Sequence, residues 1–313
     1  MKAIIKLGDK GDAVKQIQKA LGIKADGDFG PNTLKMVKLF QASHGLMPDG
    51  VVGPVTQKLL FKEVEGFEEK LDTEITEMLF DTVLLDSDEF ISGPNKPEWL
   101  FLHHTAGWNN PYRTIEHWGR DTRGRVATEF CIGGQSIKGN DDMYDGEVVQ
   151  AFPEGGYGWH LGKNGSQYMH NHSVGIEVNN FGYLTKGGYK KKVNGKRVWV
   201  EKDSNSFYTY AGTRADESQI VECSFKGYDY WHKYSDAQIE SLRLLILHIA
   251  DRDGIDVRVG LPTLIKTQGV KAFDWNPDAY YGKVKGLWTH TNTKKGKFDM
   301  FPQQELLDML TSL

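Results

Sequence analysis

Residues 99–107, WLFLHHTAG, predict the element on which the larger part of the fold is built. Four apolar residues run directly into two histidines and then into small residues, which is typical of a short buried strand. Side chains alternate along a strand, so His103 and His104 project from opposite faces and only one can serve a given site. Sites in α/β domains tend to lie at strand ends. Either one histidine is functional beside an ordinary neighbour, or both are structural.

A second strand is predicted within residues 170–180, HNHSVGIEVNN. The apolar residues 174, 176 and 178 share one face, and Glu177 projects from the other. In a partly buried cleft, burial would raise the pKa of Glu177 toward neutrality and make it a candidate base. The alternative is an exposed glutamate on the face of a sheet. His170 and His172 could bind a metal from within a strand, but we place them in the loop before it.

A third group of polar residues lies within residues 287–302, LWTHTNTKKGKFDMFP. His290 and Asp299 are separated by a loop rich in Gly and Lys, so both can reach one metal ion. Histidine and carboxylate are good zinc ligands, and three protein ligands plus one water make a catalytic zinc site. Lys297 would lie beside such a metal, where it could stabilise a developing oxyanion.

The N-terminal segment contains an internal repeat. Residues 26–33, DGDFGPNT, recur 23 positions later as residues 49–56, DGVVGPVT. Each copy predicts a tight turn that delivers a proline to the first position of a helix. With an earlier helix that begins near Asp12, this predicts a three-helix unit of about sixty residues. The expected apolar stripes are Val14, Ile17 and Leu21; Leu34, Val37 and Phe40; and Val55, Leu59 and Leu60.

Charge is distributed unevenly along the chain, although its total is only -4 over 313 residues. Residues 1–61 carry nine Lys and five Asp, whereas residues 62–92 carry two Lys and eleven acidic residues. Apolar residues at helical spacing in the acidic stretch (Leu71, Ile75, Met78 and Leu79) predict a connecting helix. The alternative is a solvated acidic face without function. Residues 93–97, GPNKP, then predict a break before a new domain.

Composition excludes several classes of protein. With 26% charged and 39% hydrophobic residues, the chain has the composition of a globular protein. No run of 18 apolar residues is present, which excludes a membrane span, and the N-terminus lacks the apolar run of a signal peptide. Two cysteines exclude a disulfide framework. The absence of a basic cluster argues against a nucleic-acid partner.

Residues 4–61 resemble the peptidoglycan-binding domain of bacterial and phage cell-wall hydrolases. The resemblance rests on residues 7–14, LGDKGDAV, on the two DGxxGPxT turns, and on Val37, Phe40 and Gln41 between them. It implies a cell-wall anchor with bacterial peptidoglycan as the partner.

Residues 97–312 resemble the zinc-dependent N-acetylmuramoyl-L-alanine amidases, which include phage lysozyme-type amidases and peptidoglycan recognition proteins. The three segments described above carry the resemblance together. Further matches are residues 126–134 as the family's second strand, Trp159-His160-Leu161-Gly162 as its substrate loop, and a helix that opens at Asp236. For that helix we predict Ser235 as N-cap with Gln238 completing a capping box, a buried stripe, and an end at Gly254. The stripe comprises Ile239, Leu242, Ile246 and Ile249.

The resemblance implies a fold and a set of site residues. The fold is an α/β catalytic domain, with a mixed central sheet flanked by helices, after a small all-α three-helix domain. One Zn²⁺ would be held by His103, His290 and Asp299, with Glu177 as the catalytic carboxylate and Lys297 near the metal. Some relatives have a tyrosine on the second strand where this chain has Thr128. The implied substrate-binding residues are His160, Trp159, Thr128, His104 and Asn179.

Three features depart from the family pattern. Thr289 stands where a glycine is frequent, and Met300-Phe301 stands where Pro-Gly is frequent. The third departure is an insertion at about residues 183–233, rich in aromatic residues and lysine. It forms either a decorative hairpin or a wall of the substrate groove.

The predicted organisation is therefore a binding domain over residues 1–62, an acidic helical linker over 63–95 and an amidase domain over 96–313. The implied reaction is hydrolysis of the amide that joins N-acetylmuramic acid to L-alanine of the stem peptide. Two alternatives remain: a non-catalytic recognition protein, and a zinc peptidase that cuts within the stem peptide. We expect a monomeric phage endolysin, made in the host cytoplasm and released to the wall by a holin, without nucleic-acid binding or membrane insertion.

Overall fold

The computed structural model describes residues 4–44, 46–62, 80–93, 95–162 and 165–313. The chain divides into two compact units, residues 1–79 and 80–313. Within the described part of the chain, no helix is long and apolar enough to cross a membrane.

The first unit contains the three predicted helices. They are α1 (Asp12–Ala20), α2 (Pro31–Ser43) and α3 (Pro54–Lys62). Their buried side chains enclose Phe29 of the first turn in one core. One predicted core residue is wrong, because Val55 lies in the first turn of α3 with 62% of its surface exposed. Leu60, predicted in the same stripe, is buried.

A buried glutamine organises each of the two repeated turns. The Gln18 side chain donates from Nε2 to Asp26 Oδ1 (2.7 Å) and accepts at Oε1 from the amide of Gly27 (2.8 Å). Gln41 makes the same two bonds to the second turn, to Asp49 Oδ1 and from the amide of residue 50, both at 2.8 Å. The repeat therefore includes the glutamine eight residues before each turn aspartate; Gln41 was recognised from the sequence, whereas the equivalent Gln18 was not.

The second unit is built on a mixed sheet. In chain order its strands are β1 (Asp81–Thr82), β2 (Trp99–His104), β3 (Phe130–Ile132), β4 (Val148–Gln150), β5 (Ser173–Val178), β6 (Tyr183–Lys186), β7 (Gly188–Val193), β8 (Lys196–Glu201), β9 (Phe207–Tyr208), β10 (Ile220–Phe225), β11 (Tyr228–His232) and β12 (Gly286–Thr289). The central sheet has the order β1-β4-β3-β5-β2-β12. Strands β3, β5, β2 and β12 are parallel, whereas β4 runs antiparallel to β3.

Helices cover this sheet and complete the predicted fold class. They are α4 (Pro111–Trp118), α5 (Gln167–Asn171), α6 (Asp236–Asp253), α7 (Leu261–Gln268), α8 (Pro277–Tyr280), α9 (His290–Thr293) and α10 (Gln304–Thr311), with short 3-10 helices at 217–219 and 269–273. An α/β domain with a mixed central sheet, after a small all-α unit, is what the sequence predicted. His170 and His172 precede strand β5 as predicted, but His170 lies in the short helix α5 and His172 caps it, rather than both lying in a loop.

The predicted acidic helix is wrong for the part that the structure describes. Residues 63–79 lie outside the described residues. Beyond them, β1 pairs with β4, and Leu85 and Phe90 are buried against the sheet. The apolar residues of 80–93 are therefore recruited by the larger unit, which overrides any local helical preference.

Helix α6 begins and ends as predicted. Ser235 and Gln238 form the capping box, and Gly254 ends the helix in the left-handed conformation with φ 69°. The Ser235 hydroxyl also donates to the carboxylate of Asp145. Burial raises the pKa of Asp145 to about 6, against the opposing effect of that hydrogen bond.

The insertion forms two antiparallel sheets rather than one hairpin. One has the strand order β10-β11-β6-β9, and the other is the β7–β8 hairpin. Both follow β5 in chain order.

We expect Gln18→Leu to destabilise the first unit by about 2–4 kcal/mol, since it leaves buried amide and carbonyl groups of the turn without partners. Hydrogen exchange of the amides in residues 12–60 of the full chain would measure the change. Gln16→Leu is the matched control, because Gln16 is exposed on the same helix. Equal protection in the two variants would contradict the role of the buried glutamine.

We expect Asp145→Asn to stabilise the second unit at pH 8 by roughly 2–3 kcal/mol. A carboxyl group whose pKa is raised in the folded state favours folding while it is protonated, and this contribution is lost as the pH rises from about 4 through 6. Urea unfolding followed by tryptophan fluorescence at pH 4 and pH 8 would show a difference that is small at pH 4. Asp251→Asn provides the control, because Asp251 is exposed and does not contribute to the shifted pKa of Asp145.

Candidate metal centre

The carboxyl ends of three parallel strands bring the candidate residues to one edge of the sheet. Strand β2 lies between β5 and β12, and His103 on β2 is in register with Glu177 on β5. His290 follows β12 directly, as the first residue of α9. Asp299 returns to it from the following loop, where its carbonyl accepts a hydrogen bond from the amide of Thr291 (3.1 Å).

Two histidines and one aspartate converge within this edge. The Nδ1 atoms of His103 and His290 are 2.9 Å apart, and Asp299 Oδ2 lies 2.9 Å from His290 Nδ1 and 3.5 Å from His103 Nδ1. All three residues are buried. Two imidazole nitrogens and one carboxylate oxygen facing a common point form the donor set of a three-residue zinc site.

The protonation states in this cluster suit metal binding. Burial lowers the pKa of His103 to about 4, so its imidazole is neutral at pH 7. Burial acts to raise the pKa of Asp299, but the charge of His290 and the hydrogen bonds from both histidines hold that pKa well below its usual range. Ligands must be deprotonated to bind a metal, and these residues fit a divalent cation.

His160 supports the cluster from behind. Its Nδ1 lies 3.0 Å from His103 Nε2, and its Nε2 lies 2.8 Å from the Ser173 hydroxyl. The imidazole of His160 is 8% exposed. His160 also lines the cavity, so the predicted substrate contact stays a prediction, while one of its ring nitrogens contacts His103 and the other contacts Ser173. Ser173, at the start of β5, was missed because nothing in the sequence links it to a residue thirteen positions earlier.

Glu177 and Lys297 face the same cavity as the metal cluster. Burial raises the pKa of Glu177 to about 8; the charge of Asp299 adds to this rise and that of Lys297 opposes it. Lys297 Nζ lies 3.8 Å from Asp299 Oδ1. The alternative of an exposed sheet-face glutamate is therefore wrong.

The cavity measures about 490 Å³ and is walled in part by the insertion. Insertion residues Tyr183, Arg197, Tyr210 and Tyr228 line it together with His103 and Glu177. Of the two interpretations of the insertion, the groove wall is the one that the structure supports. The aromatic richness of the insertion was visible in the sequence, but the sequence did not indicate which insertion residues line the cavity.

The remaining predicted substrate residues divide into two groups. Thr128 and His104 line the cavity. Thr128 precedes strand β3 rather than lying on it, and its hydroxyl donates to the carbonyl of Phe130 (2.9 Å). The Nδ1 atom of His104 lies 2.7 Å from the hydroxyl of Tyr234.

Trp159 and Asn179 are the two predicted substrate residues that the structure places away from the cavity lining. The Trp159 ring packs edge-on against His170, with centroids 4.9 Å apart. Asn179 is fully buried, and its Nδ2 donates to the carbonyl of Trp108 (2.7 Å). The prediction is wrong for Asn179, because β5 ends at Val178 and the strand alternation no longer applies beyond it.

Comparison with known proteins assigns both parts of the chain. Residues 93–272 match the family model described as N-acetylmuramoyl-L-alanine amidase, and residues 10–60 match a model of a peptidoglycan binding domain. Among curated proteins, none matches the chain significantly.

Several solved structures are similar to parts of the chain. PlyL is 10% identical, with 71% of this chain and 86% of PlyL covered and a TM-score of 0.36. A selenomethionine AmpD derivative is 14% identical, with coverage of 75% and 96% and a TM-score of 0.37. The amidase AmiD from E. coli, in complex with anhydro-N-acetylmuramic acid-L-Ala-D-gamma-Glu-L-Lys, is 17% identical, with coverage of 54% and 48% and a TM-score of 0.28.

The assignment rests on the family model, which covers more than half of the chain and includes His103, His160 and Glu177. His290 and Asp299 follow the matched range, and the fold returns them to the same edge of the sheet. The chain belongs to the N-acetylmuramoyl-L-alanine amidase family.

Proposed function

We propose that this chain is a zinc-dependent hydrolase that cuts the amide between the lactyl group of N-acetylmuramic acid and L-alanine of the stem peptide. The observation that carries the proposal is the convergence of His103 Nδ1, His290 Nδ1 and Asp299 Oδ2 in a cavity that also contains Glu177. The N-terminal unit would hold the enzyme on the same polymer.

His103, His290 and Asp299 would hold one Zn²⁺ at the wall of the cavity. When bound, the ion would supply Lewis-acid chemistry, which polarises the scissile carbonyl and lowers the pKa of a water molecule. His160 Nδ1 contacts His103 Nε2 and so fixes the ring of His103, which leaves the Nδ1 atom of His103 as the ligand atom.

Glu177 would move the proton. Its carboxylate accepts a proton from the attacking water and later donates it to the nitrogen of the leaving L-alanine. A pKa raised by burial suits both steps, because a group that titrates near neutrality can take up and release a proton at similar cost.

Lys297 would stabilise the negative charge that develops on the carbonyl oxygen. Its ammonium group lines the cavity and is already oriented toward the metal cluster through Asp299. A fixed cation at the place where charge develops is worth more in a partly buried cavity than in water.

A recognition protein without catalysis and a peptidase remain the competing functions. Digestion of purified peptidoglycan, with and without a chelator, separates them. We expect new L-alanine amino termini, no new reducing ends, and loss of activity on chelation with recovery on adding zinc. Amino termini on other stem residues would indicate a peptidase, and binding without cleavage a recognition protein.

We also propose that the chain acts as an endolysin. A wall-binding unit joined to an amidase is suited to bacteriolysis, because anchoring raises the local concentration of bonds to cut. Turbidity of a suspension of host cells with permeabilised membranes should fall on adding the chain, and a chain that leaves turbidity unchanged while digesting soluble muropeptides would refute this role.

We expect Glu177→Gln to lower kcat/KM on a soluble muropeptide by about 10²–10⁴-fold, because the amide of glutamine has nearly the shape of the carboxylate but does not exchange the proton. Zinc content measured by atomic absorption should stay near one ion per chain. The matched control is Glu217→Gln, the same exchange on an exposed 3-10 turn outside the cavity lining. Retained activity in Glu177→Gln would remove this residue from the mechanism.

We expect His160→Phe to weaken zinc binding by roughly 10–100-fold, the usual effect of removing a hydrogen-bond partner of a metal ligand. Competition with a chromophoric chelator would measure it, with Asp299→Asn as the variant that loses a ligand outright. His172→Ala is the control, because that ring stacks on Tyr168 and contacts the carbonyl of the same residue, away from the cavity lining. Wild-type affinity in His160→Phe would show that His160 does not position His103.

A further inference from the structure

A second cavity adjoins the reaction cavity on the insertion. It measures about 460 Å³ and lies between the β7–β8 hairpin and the residues that precede β7 and follow β9. Its lining is cationic and aromatic: Tyr183, Tyr189, Lys190, Lys191, Lys192, Arg197, Tyr210 and Ala211. No acidic side chain belongs to this lining, so the chemistry of the cavity is that of an anion site.

The cations of this cavity lack acidic partners within the part of the chain that the structure describes. Lys192 lies directly opposite Arg197 in the hairpin register, and both are exposed. Like charges placed opposite each other on paired strands destabilise the pairing. Neither side chain forms an ion pair with a described residue, so the repulsion would be relieved by an anion bound between them.

The two cavities share a wall. Tyr183, Arg197 and Tyr210 line both of them. Tyr183 stacks on Tyr228 with ring centroids 3.8 Å apart, and the hydroxyl of Tyr210 donates to the carbonyl of Ala106 (2.8 Å), just beyond the end of β2. The shared wall is therefore tied to the strand that carries His103, and a ligand can extend from the reaction cavity across it.

We propose that this cationic groove binds the stem peptide beyond L-alanine through its free carboxylates, with Arg197 and Lys192 contacting the first of them. The inference rests on the proposed function. Once its lactyl group is amidated, the glycan side of the scissile bond is neutral, whereas the peptide side continues into residues with free carboxylates, such as γ-linked D-glutamate. A cationic extension of the cavity therefore complements the peptide and not the glycan.

Distance is compatible with this assignment. The α-carboxylate of a γ-linked glutamate lies one residue beyond L-alanine, roughly 5–7 Å from the scissile nitrogen at the span of an extended chain. Arg197 lines the reaction cavity itself, so it stands within the first residues of a peptide that leaves this cavity. A guanidinium group can pair with a carboxylate through two parallel hydrogen bonds, which gives discrimination against a carboxamide.

The test compares two substrates that differ in one group: N-acetylmuramoyl-L-alanyl-D-glutamate and N-acetylmuramoyl-L-alanyl-D-isoglutamine. We expect the wild-type chain to prefer the carboxylate substrate in kcat/KM by about tenfold at low salt. The double variant Lys192→Gln with Arg197→Gln should bring this ratio close to one. The matched control is Lys196→Gln with Lys202→Gln, which removes the same charge from the same segment outside the groove and should keep the wild-type ratio.

A second measurement separates this inference from the proposed function. Binding of the dipeptide L-alanyl-D-glutamate can be followed by NMR and needs no catalysis. It should be lost in the double variant and kept in the wild-type chain and the control variant. If the wild-type chain cleaves both substrates with a kcat/KM ratio near one, the peptide-binding role of the groove is refuted and the proposed amidase activity is not. Absence of cleavage with dipeptide binding confined to the wild type and the control would support the groove and refute the hydrolase. A double variant that instead keeps the wild-type kcat/KM ratio and loses its pelleting with walls that carry teichoic acid would give the opposite result. That result would assign the groove to teichoic acid and overturn the proposal.

Discussion

Parallel pairing of β5, β2 and β12 is the constraint on which the site depends. Because the three strands run in the same direction, their carboxyl ends meet at one edge, and residues far apart in the chain arrive there together. His103 and His290 are brought to 2.9 Å only through this pairing. A one-residue slip of β2 would turn His103 away and present His104, which contacts the hydroxyl of Tyr234.

Burial of polar groups at this edge has a free-energy cost and also changes their reactivity. Three titratable ligands and Glu177 lie where water is scarce, so each needs a partner or a changed protonation state. The neutral imidazole of His103 and the ionised Asp299 satisfy each other within the cluster, and His160 with Ser173 satisfies the remaining nitrogen of His103. The same burial that makes the cluster costly gives Glu177 the proton affinity that general acid–base chemistry requires.

Sequence patterns were sufficient to predict features that are determined within one short segment of the chain. Strand alternation placed Glu177 on the cavity side of β5, and the capping box at Ser235 with Gly254 gave both ends of α6. The patterns failed where a distant contact decides the outcome. Residues 80–93 join the sheet because their apolar side chains are buried by it, and Asn179 turns into the interior once the strand has ended. His160 forms a hydrogen bond with His103, which lies 57 positions earlier in the chain.

The insertion adds a wall to the cavity, while the candidate reactive residues lie on the central sheet and the loop after β12. Its strands form their own sheets, so their side chains can change without disturbing the pairing of β2, β5 and β12. Tyr210 is tied to the end of β2, which keeps the added wall at a fixed distance from the metal cluster. The proposed chemistry therefore uses the parallel edge, and the proposed cationic groove on the hairpin selects the peptide that reaches it.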